Sequence, residues 1–227
     1  MRQALGFLTV LPLANSAEPP GRSAWAYPLI GALLGLAAAP ALPLKFGPLL
    51  IVIALALITG GLHEDGLADV ADAIRSYRSR EKMLAILKDS RIGAHGALAL
   101  IASFAFRWQA LAALHANAFA ALPVAFGISR AMMVLLAATA PPAGDGLGRA
   151  FIESLPRTAW ILALVQAVAL AALTGWPAAL VLIAINGTVL ALLCHWFRAR
   201  LGGVTGDCLG AICQLSEAAS LGALACL

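Results

Sequence analysis

Apolar runs separated by short polar connections fill this chain from about residue 24 onward, and most are near the ~20 residues that a membrane-spanning helix needs. Taken in order, they predict spans near 24–42, 47–61, 94–114, 117–139, 158–175, 177–197 and 208–226. The second is short and borrows length from the residues that follow it. Pro43 and Pro48, and Gly175 with Pro177, mark tight tips between runs. Ahead of the spans, the stretch from Ala4 to Ala14, interrupted by Pro12, predicts a retained interfacial helix rather than a cleaved leader ending around Ser16. The expected fold is all-α: a polytopic membrane helix bundle of about seven spans, one integral membrane domain over 1–227.

Composition sharpens this. The chain is 62% hydrophobic and 11% charged, with mean hydropathy +0.91, whereas soluble domains carry about 25% charged residues. The net charge of +4 comes from Lys and Arg lying between apolar runs, so it reports membrane topology and not a nucleic-acid surface. Arg75, Arg78, Arg80, Lys82, Lys88 and Arg91 all fall in the connection 62–93, which is therefore expected to be cytoplasmic. Alternation from it puts Arg2, Arg22, Arg149, Arg157, Arg198 and Arg200 on the same side, leaves Lys45 opposite, and leaves Arg107 and Arg130 inside spans. Asp145, Glu153 and Asp207 come to the cytoplasmic edge as well. A carrier would need polar groups spread through the membrane; here they gather at one face. Cys194, Cys208, Cys213 and Cys226 form no CxxC pair and imply neither disulfides nor zinc.

Candidate chemistry centres on Gly60-Gly61-Leu62-His63-Glu64-Asp65-Gly66-Leu67-Ala68-Asp69-Val70-Ala71-Asp72, which concentrates four of the chain's 11 acidic residues. Asp65, Asp69 and Asp72 at i, i+4 and i+7 share a helix face. Like charges so close repel unless a hard divalent cation intervenes; the alternative is a solvated face at a helix end. His63 is placed to orient a ligand, accept a proton or make a structural hydrogen bond. His95, His115 and His195 show no ligand spacing. Downstream, Lys88-Asp89-Ser90-Arg91-Ile92-Gly93 combines cations suited to phosphate oxygens with a glycine that lets backbone approach a ligand. Set beside the carboxylates, it reads as a metal-bound polyphosphate site, with a loop touching only lipid head groups as the alternative. Arg130 reads as a phosphate clamp, while Arg107 either serves function or pairs internally. Gly202-Gly203-Val204-Thr205-Gly206-Asp207 opens the last span; Asp207 is either a ligand or a simple N-cap, and intramembrane Glu217 follows it.

These segments, in this order, resemble the cobalamin synthase (adenosylcobinamide-GDP ribazoletransferase) family. The match also takes in Phe7-Leu8-Thr9-Val10-Leu11-Pro12, Tyr27-Pro28-Leu29-Ile30-Gly31, Ser129-Arg130, Gly146-Leu147-Gly148 and Leu209-Gly210-Ala211. The resemblance implies a Mg²⁺-dependent transferase of a bacterial cytoplasmic (inner) membrane, with its site on the cytoplasmic side. There, α-ribazole or its 5′-phosphate would displace GMP from adenosylcobinamide-GDP. The acidic segment also looks like that of the CDP-alcohol phosphotransferases. On this footing Asp65, Asp69 and His63 are the expected catalytic residues. Asp65, Asp69, Asp72, Asp89 and Asp207 are expected metal ligands, and Lys88, Arg91, Arg130, Gly93, Thr205 and Gly206 are expected to bind substrate phosphate. Lipid is an expected partner, nucleic acid is not, and oligomers or other corrin-assembly enzymes fit as further partners.

Three positions depart from the family pattern: Glu64 where Leu is common, Ala85 where Glu is common, and Gln214 where an acid is frequent. The rival readings are a phospholipid-type CDP-alcohol phosphotransferase, whose signature asks for Arg where this chain has Asp69, and a transporter or scaffold.

Overall fold

The computed structural model describes residues 1–13, 18–75, 79–114 and 118–227. Ser76, Tyr77 and Arg78 of the basic run, His115 and the small-residue stretch at Ser16 lie outside the described residues. Helices follow the hydropathy: α1 (Arg2–Leu8), a 3₁₀ stretch Pro20–Ala26 running into α2 (Tyr27–Ala38), α3 (Gly47–Ile58), α4 (Leu62–Arg75), α5 (Arg80–Ile86), α6 (Ala94–Ala113), α7 (Ala118–Thr139), α8 (Leu147–Glu153), α9 (Arg157–Ala172), α10 (Trp176–Leu201) and α11 (Gly206–Cys226). Among the described residues the one β-type pairing is the isolated bridge between Pro142 and Val204.

Five stretches are long and apolar enough to cross a membrane: Pro20–Ala41, Ala94–Ala113, Phe119–Thr139, Trp176–Leu201 and Gly206–Cys226. The count reaches seven, the number expected, if two bent pairs each cross once: α3 with α4, turned by 89°, and α8 with α9, turned by 94°. The first bend falls at Gly60 and Gly61, whose φ of 64° and 69° are left-handed values that side chains disfavour. The short second run thus ends at 12 residues, and the acidic helix leaves it nearly at a right angle.

α7 is the buried centre, packed by α2, α9 and α11; α10 lies at the rim with most of its surface outward. Helices in lipid associate through close van der Waals approach at small residues. Gly35 of α2 faces the α7 backbone so closely that a β-carbon there would lie 2.6 Å from the Pro123 nitrogen. Ala159, Ala163, Ala167 and Ala171 repeat every fourth residue as the buried stripe of α9.

At one end of the bundle the polar connections meet. Ala143 N–H donates to the Val204 carbonyl and Val204 N–H to that of Pro141, each at 2.9 Å. Arg80 Nε donates to the Leu201 carbonyl at 2.6 Å. The connections assigned to one side of the membrane by their basic residues therefore do share one end. α1 packs against this end, with Phe7 stacked on Tyr27 and Phe151 at 5.8 and 6.1 Å between ring centroids.

Candidate active site

Two glycines decide how the acidic helix meets the last span. A β-carbon at Gly66 would fall 2.7 Å from the Asp207 carbonyl oxygen, and one at Gly210 would fall 3.2 Å from the Gly66 Cα. Backbone touches backbone, so α4 and the start of α11 cross at the closest separation helices allow. That contact sets Asp65 and Asp69 beside Asp207, and the charges of Asp65, Asp207, Asp72 and Asp89 all bear on Asp69. Thr205, not Asp207, caps α11: its hydroxyl accepts from Cys208 N–H at 3.4 Å and donates to Asp207 Oδ2 at 3.2 Å. The N-cap reading of Asp207 is set aside, and the helix begins at Gly206, whose backbone packs on Gly148.

Two cavities open around this crossing. One of about 310 Å³ is lined by His63, Asp65, Lys88, Asp145, Thr205, Gly206 and Asp207 together with apolar side chains including Phe7, Leu84, Met133 and Phe151. A more open one of about 580 Å³ is lined by Thr59, Gly60, Gly61, Asp65, Asp69, Ser90 and Ile92, with Phe7 and Leu62 shared between the two. His63 is 1% exposed and neither ring nitrogen has a hydrogen-bond partner in the structure. Lys88 lies at the rim, 3.9 Å from Asp145.

Several expected ligands are otherwise engaged. Asp72 accepts from Gly93 N–H at 2.7 Å and from Gly96 N–H at 2.9 Å, so it caps α6 from another helix. Asp89 and Arg91 pair with each other in a fork at 2.6 to 3.2 Å. The Arg91 guanidinium holds the Asp89 carboxyl down to about 2. A phosphate or a metal at either residue would first have to open that exposed pair.

Arg130, expected as a phosphate clamp, is buried at 1% exposure and bonded to Glu217 and to Ser129 Oγ. Its guanidinium is committed within the bundle. Arg107 bonds Glu217 Oε1 at 3.0 Å and Glu64 Oε1 at 3.3 Å, and Gln214 donates to the same Glu64 oxygen at 3.0 Å. Two arginines and two glutamates from four helices thus cancel in one buried layer. Two of the three departures from the family pattern, Glu64 and Gln214, touch each other here. The burial of Glu64 among these charges was not readable from its place in the acidic run, and the apolar wall at Phe151 and Met133 carried no signal in the sequence.

Among the described residues, no three His, Cys, Asp or Glu side chains are gathered tightly enough to hold a metal ion by themselves. Magnesium seldom asks for that. It is usually bound through one or two carboxylates plus substrate phosphates and water, and the hard oxygens of Asp65, Asp69 and Asp207 fit such a mode.

An all-helical bundle with five to seven candidate spans, and with carboxylates and two cavities gathered at one end, defines a polytopic membrane protein. The family model for cobalamin-5-phosphate synthase matches residues 1–225, and the chain belongs to that family. Adenosylcobinamide-GDP ribazoletransferases resemble it over nearly their whole length. The Rhizobium etli protein is 43% identical over 98% of this chain and 95% of its own. The Pseudomonas aeruginosa PAO1 protein is 42% identical over 98% and 96%, and that of Herpetosiphon aurantiacus 37% over 100% and 96%. No solved structure matches. The chain is thus a membrane transferase of cobalamin biosynthesis, as its sequence segments implied.

Proposed function

We propose that this protein joins adenosylcobinamide-GDP and α-ribazole, or α-ribazole 5′-phosphate, to give adenosylcobalamin or its 5′-phosphate and GMP. The observation that carries the reading is the contact of α4 and α11 at Gly66 and Gly210, which gathers Asp65, Asp69 and Asp207 on walls between two cavities. The names of the relatives supply the substrates.

Asp65 and Asp69, with Asp207, would hold Mg²⁺, which supplies charge neutralisation for the pyrophosphate. Lys88 at the cavity rim offsets further phosphate charge and orients the donor. A secondary ribose hydroxyl of the acceptor attacks the phosphorus attached to cobinamide, since the 5′ oxygen carries the phosphate in α-ribazole 5′-phosphate and in its product; a phosphorus–oxygen bond forms there as the bond to GMP breaks. His63 or an aspartate of the cluster takes the hydroxyl proton. Chemistry of this kind needs little from the protein beyond positioning and charge stabilisation in a dry site. The excess of Lys and Arg in the connections at this end supports a cytoplasm-facing site in a bacterial inner membrane.

The test is turnover of adenosylcobinamide-GDP with α-ribazole by the purified protein in liposomes, with and without Mg²⁺. Metal-dependent GMP release with cobalamin formed, lost in Asp65→Asn, is expected. A folded wild-type protein that releases no GMP overturns the reading, and turnover of a CDP-alcohol with a lipid acceptor instead would replace it.

A further inference from the structure

Resting on that reading of the site, we infer that Glu64 is a positioning residue: bonded to Arg107 and Gln214, it fixes how α4 lies on α11 and so keeps Asp65 beside Asp207, where the metal is held.

The crossing at Gly66 and Gly210 sets the distance between the two helices but not their angle. Ridges of side chains are what fix the angle of a helix pair, and at this point backbone meets backbone with no side chain to interlock. A second attachment lies close by. Glu64 is 6% exposed, and its Oε1 accepts from Gln214 Nε2 of α11 at 3.0 Å and from the Arg107 guanidinium of α6 at 3.3 Å. Along α11 the glycine contact lies between Asp207 and Gln214, about one turn before the glutamine. Ser103 Oγ of α6 donates to Gln214 Oε1 at 3.5 Å, so both ends of the amide are held.

Glu64 and Asp65 are neighbours on one helix, about 100° apart around its axis. One is buried among its partners while the other lines both cavities. A roll of α4 that carries Asp65 away from Asp207 therefore pulls Glu64 from Arg107 and Gln214, stranding a buried charge, which is costly. Glu64 Oε2 has no partner. All of the anchoring falls on one oxygen, so the amide oxygen of a glutamine would take its place in the same two hydrogen bonds.

The experiment uses the full chain in detergent, with Mn²⁺ as a paramagnetic substitute for Mg²⁺ and inorganic pyrophosphate present. Bound Mn²⁺ is read from the loss of the free-ion resonance, and GMP release and unfolding temperature are measured on the same preparations. Glu64→Leu is expected to weaken Mn²⁺ binding and to lower kcat by about tenfold each, as losing a support behind a metal ligand does, whereas Glu64→Gln stays within about threefold of the wild type. Gln214→Leu removes no charge and should shift both quantities in the direction of Glu64→Leu, which keeps the test open if the latter does not fold. Asn186→Leu is the control: it breaks the 2.9 Å bond from Asn186 to Ser220 that ties α10 to α11 further along the bundle, and it should lower the unfolding temperature with Mn²⁺ binding unchanged. Wild-type Mn²⁺ affinity in both Glu64→Leu and Gln214→Leu overturns the inference, as does an equal loss of binding in Asn186→Leu. A wild type that releases GMP but binds no Mn²⁺ overturns the positioning role alone. Mn²⁺ binding that Glu64→Leu weakens, with no GMP released by the wild type, keeps the positioning role and sinks the transferase reading.

Discussion

Arg107 of α6 and Glu217 of α11 meet at 3.0 Å with both side chains 1% exposed, and Glu217 holds Arg130 of α7 with its other oxygen. One carboxylate thus ties three helices. Removing one partner of a buried pair typically costs about 3–5 kcal/mol because the remaining charge is stranded. Glu217→Gln strands part of two arginines, so a large fall in the unfolding temperature in detergent is expected. The double variant Glu217→Gln/Arg130→Met should recover part of it. Full additivity of the two substitutions would show that the groups are not coupled.

Gly66→Ala places a methyl group 2.7 Å from the Asp207 carbonyl. Overpacking of this kind costs about 1–3 kcal/mol, and the helices must part to relieve it. Since separation moves Asp65 and Asp69 from Asp207, activity is expected to fall by more than stability alone explains. GMP release measured well below the unfolding temperature checks this.

Asp65 and Asp72 are on the same helix, yet should behave differently. Asp72→Ala removes the cap of α6 and is expected to cost about 0.5–2 kcal/mol with the Mg²⁺ dependence of the rate unchanged. Asp65→Asn should leave stability alone and lower kcat by about 10²–10³-fold, the usual effect of losing one group that stabilises transition-state charge. Thermal unfolding and a magnesium titration of the rate, run on both variants, separate the two roles.

Asp89 is held at about 2, below its ordinary 3.8, by hydrogen bonds from Arg91. A depressed carboxyl contributes above its unfolded value and loses that contribution as pH falls toward 2. Asp89 therefore stays charged throughout the neutral range and adds no limb to the pH–rate profile there. A carboxyl carbon titration by NMR should find its midpoint near 2 in the wild type and nearer 3.8 in Arg91→Ala.

Hydropathy made the bundle legible because apolar length alone selects spanning helices, and the segments around Asp65 and Thr205 stood out because they gather glycine and carboxylates in a chain otherwise poor in charge. What escaped was three-dimensional. Asp72 shares the i, i+4, i+7 face with Asp65 and Asp69, but the sequence does not say that the start of α6 lies opposite it and takes both oxygens. Arg130 looked available because an intramembrane arginine invites a functional reading, while its partner lies 87 residues away. The short second run was visible, but the 89° turn was not, since Gly-Gly permits many directions and packing chooses one.

The neutral layer of Arg107, Arg130, Glu64 and Glu217 also bears on how the protein is made. Both arginines are synthesised well before Glu217, which sits in the final helix. An unpaired arginine in hydrocarbon costs about 2.5–3.5 kcal/mol even on the lenient insertion scale, and Glu64 answers only one of them. Until the last helix enters the bilayer, the nascent bundle carries a charge it cannot settle. A chain truncated before Glu217 should therefore be a substrate for quality-control proteolysis, which makes the final helix a checkpoint for the whole.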